Sequence, residues 1–342
     1  MHQFLSGIQQ IGIGVRNAET AKHTYKHLFG MDVLIFDDEA KASLMTQYTG
    51  HQEYNRRAIL TMNLQGGGGF ELWQFLDRVP GEVESVNLGD IGIYAAILKS
   101  TDIFKSHQRL SAISGLQTSA LYVCKSGIRY FYVTDLQDNT FKIIPADDWF
   151  QNDKHDVGGV IGAVIGVSSM EQSIVFYQTI LGLDTVLYDF EMSENNHNVR
   201  KVGLHKKASG KGAFNKLLGD VTIELVQDLD RKAPKIYRNR YWGDCGFIHL
   251  CFDVIAMDDL KKHVQSRGLD FSVDSNNTFA MDNASGRFCY IEDPDGTLIE
   301  LVETHKVPIL KKIGWYLDLR KRDHEKPLPD WMIKMLALSK VK

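Results

Sequence analysis

The sequence predicts an α+β fold of four βαβββ modules in two paired halves. Three observations lead there: an N-terminal segment that recurs 152 residues later, a fainter recurrence between those two copies, and the same strand–helix–strand–strand–strand order in each. The clearest repeat sets IQQIGIGVRNAETAKHTYKHLFGMDV, from Ile8, against VIGAVIGVSSMEQSIVFYQTILGLDT, from Val160. A shift of 152 carries Gly14 to Gly166, Glu19 to Glu171, Tyr25 to Tyr177 and Gly30 to Gly182. Each copy opens on an apolar strand. An amphipathic helix follows, closed by a glycine suited to a C-cap.

Runs readable as strands come next. They are Asp32 to Phe36, Arg57 to Leu64 and Gly69 to Phe75 in the first copy, and Asp184 to Tyr188, Val199 to Leu204 and Val221 to Gln227 in the other. Module two runs from Gly92 to Pro145, and module four from Phe247 to Glu303; DNTFKII of the one aligns with DGTLIEL of the other. Residues 1–150 and 158–304 thus form two pairs of modules, divided by a polar linker, and 305–342 form a tail ending in a helix signal near Asp330. A lone βαβββ unit leaves one face of its sheet open, so modules must pair to bury it.

Composition narrows the function classes. Apolar residues at 44% and charged residues at 24% suit a globular chain, and a net charge of -4 offers no field to attract nucleic acid or an anionic membrane. No stretch approaches the roughly 18 consecutive apolar residues of a membrane-crossing helix. The N-terminus lacks the charged start and apolar run of a signal peptide. Cys124, Cys245, Cys251 and Cys289 form no C-x-x-C pair, so the expected compartment is the reducing cytoplasm. The expected partner is a small-molecule substrate.

The module pattern, with YIEDPDGTLIELVE from Tyr290 to Glu303 as its most specific piece, resembles the vicinal oxygen chelate superfamily. That group includes glyoxalase I, bleomycin resistance proteins and extradiol dioxygenases. The resemblance covers residues 8 to 303 and implies metal ligands on the first and last strand of each module. Read onto this chain, the first-strand positions are Gln10, Gly162 and His249, with Ile93 or Tyr94 in module two. The last-strand positions are Glu71, Ile143, Glu224 and Glu300.

If module one faces four and module two faces three, Gln10, Glu71, His249 and Glu300 surround one divalent cation, and the other cleft holds none. That donor set suits Zn, Ni, Co, Mn or Fe(II). The resemblance then implies a lyase or isomerase that moves a proton on an α-hydroxy- or α-ketocarbonyl compound, with Glu300 as base and Glu71 returning the proton. An Fe(II) ring-cleaving or keto-acid dioxygenase and a non-catalytic metabolite- or drug-binding protein remain alternatives.

In glyoxalase I proper an Arg, an Asn and often a second Arg flank these ligands. Gly14, Phe75 and Cys245 stand at those places here, so glutathione recognition is not carried over. The segment Asp230 to Asp244 reads either as a solvated charged loop or as an anion clamp through Arg238 or Arg240. GGGG at Gly66 to Gly69 and SGKG at Ser209 to Gly212 lack a P-loop context and read as hairpin connections. The tail helix either packs across the module interface or covers the metal.

Overall fold

The computed structural model describes residues 4–152, 154–194, 197–276, 279–281, 284–310 and 315–341. Module one runs β1 (Leu5–Gly14), α1 (Ala18–Phe29), β2 (Val33–Lys41), β3 (Asn55–Met62) and β4 (Gly69–Phe75). Module two contains β5 (Gly92–Ser100), α2 (Ile103–Ser111), β6 (Gln117–Thr118), β7 (Tyr122–Val123), β8 (Arg129–Thr134) and β9 (Thr140–Pro145). Module three follows with β10 (Val157–Gly166), α3 (Met170–Thr179), β11 (Thr185–Glu194), β12 (His197–Lys206), α4 (Asn215–Leu218) and β13 (Val221–Asp228). Module four has β14 (Gly246–Val254), α5 (Met257–Gln265), β15 (Val273–Asp274), β16 (Phe279–Met281), β17 (Ala284–Glu292) and β18 (Leu298–Leu310). The tail adds β19 (Trp315–Asp318) and α6 (Asp330–Lys334).

Local chemistry sets the helix ends. The Asn17 side chain accepts the Thr20 amide and starts α1, while Gly30, at φ 66°, ends it in the left-handed conformation that glycine tolerates. Asp102 caps α2 in the same way.

Two sheets result. In the first, β17, β18 and β14 of module four run into β1, β4, β3 and β2 of module one; in the second, β11, β12, β13 and β10 of module three run into β5, β9 and β8 of module two. Module one therefore pairs with four, and two with three. The seams are antiparallel, β1 on β14 and β10 on β5, whereas first and last strands within each module run parallel. The helix-bearing faces of both sheets share one core, in which Tyr25, Phe70, Phe141 and Phe247 pack ring on ring. Each opposite face carries a smaller cluster of its own.

The repeat extends to buried polar contacts. Tyr25 donates to Asp135 at 2.7 Å across modules one and two, and Tyr177 donates to Asp293 at 3.1 Å across modules three and four. The glycine-rich hairpin before β4 serves the contact between sheets: Gly68 and Val160 exchange backbone hydrogen bonds. A Cβ on Gly67 would lie 2.6 Å from the Gly159 carbonyl carbon, so no larger residue fits there. SGKG leads into α4 and also lies in a connection.

Asp253 is buried beside the β1–β14 seam, where Gln9 donates to it at 3.2 Å. Burial pushes its carboxyl up to about 7 from the usual 3.8. A folded-state value above the unfolded one favours the native state at low pH, and that contribution is lost as pH rises through about 7. Asp253→Asn should therefore be the more stable protein at pH 8, by on the order of 2–4 kcal/mol, with the gap narrowing as pH falls below about 7 and closing only below the ordinary carboxylate value of 3.8. Thermal unfolding of both proteins across that range checks this; a gap independent of pH would refute it.

Candidate metal centre

Four neighbouring strands bring the four sequence-predicted residues to one place. The order β18–β14–β1–β4 puts His249 and Gln10 on the two inner strands and Glu300 and Glu71 on the two outer ones. All four are buried. His249 Nε2 lies 3.2 Å from Glu71 Oε2 and 3.2 Å from Glu300 Oε2. The Gln10 amide reaches the same two oxygens at 3.1 and 3.4 Å. Among the described residues, Glu71, His249 and Glu300 are the one cluster of this kind whose ligand atoms all fall within 4.8 Å of one another.

The donor chemistry fits a divalent cation. Gln10 Oε1 and His249 Nε2 are buried without a well-formed hydrogen bond, a costly condition that a coordinated cation relieves. Two carboxylates, one imidazole and one amide oxygen are then available together. A half-turn of the Gln10 amide exchanges its nitrogen for its oxygen and turns the oxygen toward the cation position. Burial opposes an imidazolium at His249, but the two carboxylates outweigh it and push the ring up to about 9. Burial likewise raises Glu300, and His249 brings it below the ordinary carboxylate value.

Surrounding groups hold the ring in place. Tyr290 Oη lies 3.1 Å from His249 Nδ1 and fixes which nitrogen faces the carboxylates. Trp242 stacks on the imidazole at 6.1 Å between centroids and meets Trp73 edge-on at 4.2 Å. Gly12 faces the ring from β1, where a Cβ would lie 2.5 Å from His249 Cε1. Tyr290→Phe should lower metal affinity roughly 10–100-fold without unfolding the protein, because the outer partner of a ligating histidine sets its orientation. Chelator competition measures this, and an unchanged affinity would remove Tyr290 from the account.

Two cavities meet at the carboxylates. One, of about 140 Å³, is walled by Leu34, Phe36, Leu60, Met62 and Val302, and the tail closes it with Leu336 and Ser339. The other, of about 270 Å³, is walled by Arg56, Trp73, Trp242, Phe288 and Tyr290. Both reach Glu71 and Glu300. The tail thus packs across modules and also lines the space beside the site. Its attachment is explicit: Val341 donates to the Asp32 carbonyl at 2.7 Å, and Leu328 to that of Ala213 at 2.9 Å.

Several sequence expectations change. Arg238 pairs with exposed Glu84, Arg240 donates to the Cys245 and Ile236 carbonyls and lies over the Tyr237 ring, and neither lines the two cavities at the carboxylates. The loop's contribution is Trp242. In module two the residue matching Glu300 is Lys142, not Ile143. Asn139 and Thr297 make equivalent turn bonds to Asp135 and Asp293, which sets the shift at 158 and moves the strand by one residue. Ile143 faces the main core, while Lys142 faces the cleft and donates to Glu224 at 2.6 Å. By strand register, Ala95 then stands where His249 does, rather than Ile93 or Tyr94. Glu224, the last-strand position of module three, is the partner of a buried lysine.

Tyr290, Trp73, Trp242 and Arg56 were missed. A signal existed for Tyr290: the DPDG turn pairs it across the hairpin with Glu300.

Comparison with known proteins agrees with this architecture. Residues 160–301 match the family model of the Glyoxalase/Bleomycin resistance protein/Dioxygenase superfamily. No curated protein matches the sequence. Among solved structures, a Bacillus subtilis protein described as a candidate dioxygenase is similar with TM-score 0.55 and 12% identity, over 88% of this chain and 86% of that one. Glyoxalase I from Zea mays is similar with TM-score 0.54 and 11% identity, over 87% and 92% respectively. Residues 160–301 thus match the model of the glyoxalase/bleomycin resistance protein/dioxygenase superfamily, and the whole chain shares the fold of these solved structures, built from four modules.

Proposed function

We propose that the protein is a metal-dependent lyase or isomerase that moves a proton on an α-hydroxy- or α-ketocarbonyl substrate. The observation that carries this reading is the approach of Glu71 and Glu300 to one imidazole nitrogen, each at 3.2 Å, from opposite flanks of a single sheet. Gln10, Glu71, His249 and Glu300 would hold a divalent cation, with Zn, Ni, Co, Mn and Fe(II) all compatible with the donors. When bound, it supplies Lewis-acid polarisation of a substrate carbonyl.

The chain's own residues do the rest. Glu300 accepts the proton from the carbon next to that carbonyl, Glu71 delivers a proton taken up from solvent on the other flank, and Glu300 then releases its proton to solvent, which resets the pair. Tyr290 keeps the imidazole oriented. The indoles of Trp73 and Trp242 wall the site on one side, and the apolar cavity under the tail receives the substrate's body. The four thiols, all free, suit the cytoplasm.

A keto-acid or ring-cleaving oxygenase of the facial-triad type uses two imidazoles and one carboxylate. The cluster here has the reverse ratio, which favours proton transfer. To test the reading, the metal-loaded protein is incubated with hydroxyacetone in deuterated water while dissolved oxygen is recorded. Deuterium should enter next to the carbonyl with no oxygen consumed. Oxygen uptake in step with turnover would replace this reading with an oxygenase. Absence of both reactions across a panel of hydroxycarbonyls would favour a binding protein.

A further inference from the structure

The second sheet repeats the frame of the first with different chemistry at its centre. Glu224 on β13 stands where Glu71 stands on β4, and Lys142 on β9 where Glu300 stands on β18. Lys142 is 5% exposed, and its Nζ donates to Glu224 Oε2 at 2.6 Å. Tyr188 donates to the same oxygen. Burial raises Glu224, yet Lys142 and Lys201 overcome it and keep the carboxylate ionised. A cation fixed to the backbone therefore occupies the cleft where the first sheet assembles donors for an exchangeable one.

Beside this pair lies a cavity of about 500 Å³, larger than either space at His249 and within the roughly 300–1,000 Å³ of small-molecule pockets. Lys142, Ile97, Tyr130, Tyr188, Cys124 and His205 contribute to its wall. The ammonium has three N–H groups. One goes to Glu224, and the Tyr130 ring lies 4.4 Å from the nitrogen, leaving donor capacity toward the cavity. Two of the three acids on the same wall are engaged, Asp148 at 3.5 Å from Lys99 and Asp220 at 3.5 Å from His205; the third is Asp147. Tyrosine rings and aliphatic side chains then offer an apolar surface beside the Lys142 ammonium, with Lys207 as a second cation on the wall, an arrangement that orients a small anion with a hydrophobic body.

We propose that the cleft between modules two and three is a second binding site, separate from the metal centre, for a small carboxylate with an aromatic or apolar body whose oxygens meet the Lys142 ammonium. It needs no metal, and it stands whether or not the proton-transfer reading does.

Cys124 provides a readout in the unaltered protein. It is half-buried at the cavity wall, whereas Cys245, Cys251 and Cys289 are buried. Benzoate, added to chelator-treated protein, should slow modification of Cys124 by a thiol reagent at least fivefold, while benzamide, its neutral counterpart, should need at least tenfold higher concentration for the same protection. The double variant Lys142→Met with Glu224→Gln removes both charges at similar volume and should lose the preference for benzoate. Glu300→Gln should keep it. Equal protection by benzoate and benzamide, or none by either, overturns the proposal even if the double variant fails to fold. Loss of protection in Glu300→Gln would place the anion at the metal centre and overturn it as well.

Discussion

Glu300→Gln is expected to silence proton exchange into an α-hydroxycarbonyl compound while leaving the cation bound. The amide oxygen of the new side chain still coordinates, but it cannot accept a proton. General-base catalysis is worth roughly 10²–10⁴-fold in rate, so the variant should be almost inactive at an unchanged fold. The buried setting works in the same direction. Removing one of the two carboxylates that favour the His249 imidazolium frees the neutral ring for coordination. Deuterium incorporation and metal content are measured on the same samples. An undiminished exchange rate in a metal-loaded variant would assign the base to Glu71 instead.

His249→Ala should do the opposite and empty the site. It deletes the single nitrogen donor and leaves two buried carboxylates facing each other beside Gln10. The expected loss in affinity exceeds the roughly 100-fold that marks the upper end for an outer-shell partner. There is also a signature in pH. Binding must displace the proton from an imidazole held up to about 9, so affinity in the unaltered protein should climb as pH rises toward that value. Without the ring this dependence should largely disappear. Metal titrations at pH 6, 7 and 8 test both statements, and a variant that keeps stoichiometric metal at pH 7 would exclude His249 as a ligand.

Much of this was legible in the sequence because strand alternation and repeat spacing carry the information. Gly69–Phe75 was bounded correctly, and the pairing of module one with four followed from where the donor residues fell. The slip occurred in module two. DNT and DGT invite alignment, yet the turn places Asn139, not Thr140, opposite Thr297; in a strand, one residue reverses which side chain faces the cleft. The aromatic support of His249 was hidden for another reason. Trp242 arrives from a charged connecting segment whose path is set by tertiary packing, and no periodicity in a loop announces it. Arg56, at the start of β3, reads locally as a charged strand end, although its guanidinium lies buried against Trp73 and Asp38.

The nested order of the sheets has a consequence for biosynthesis. Modules two and three are neighbours along the chain, so their sheet can form from a continuous stretch soon after Asp228 is made. Module one, though first out, must wait for module four before β1 gains its partner β14. Gln10 and Glu300 are 290 positions apart, and closing so long a span comes late because its entropic cost precedes its reward. The donor set is complete only once translation has passed residue 300 and the outer sheet has closed. Cation loading would then be the closing event of maturation, and metal content would count finished molecules rather than synthesised ones.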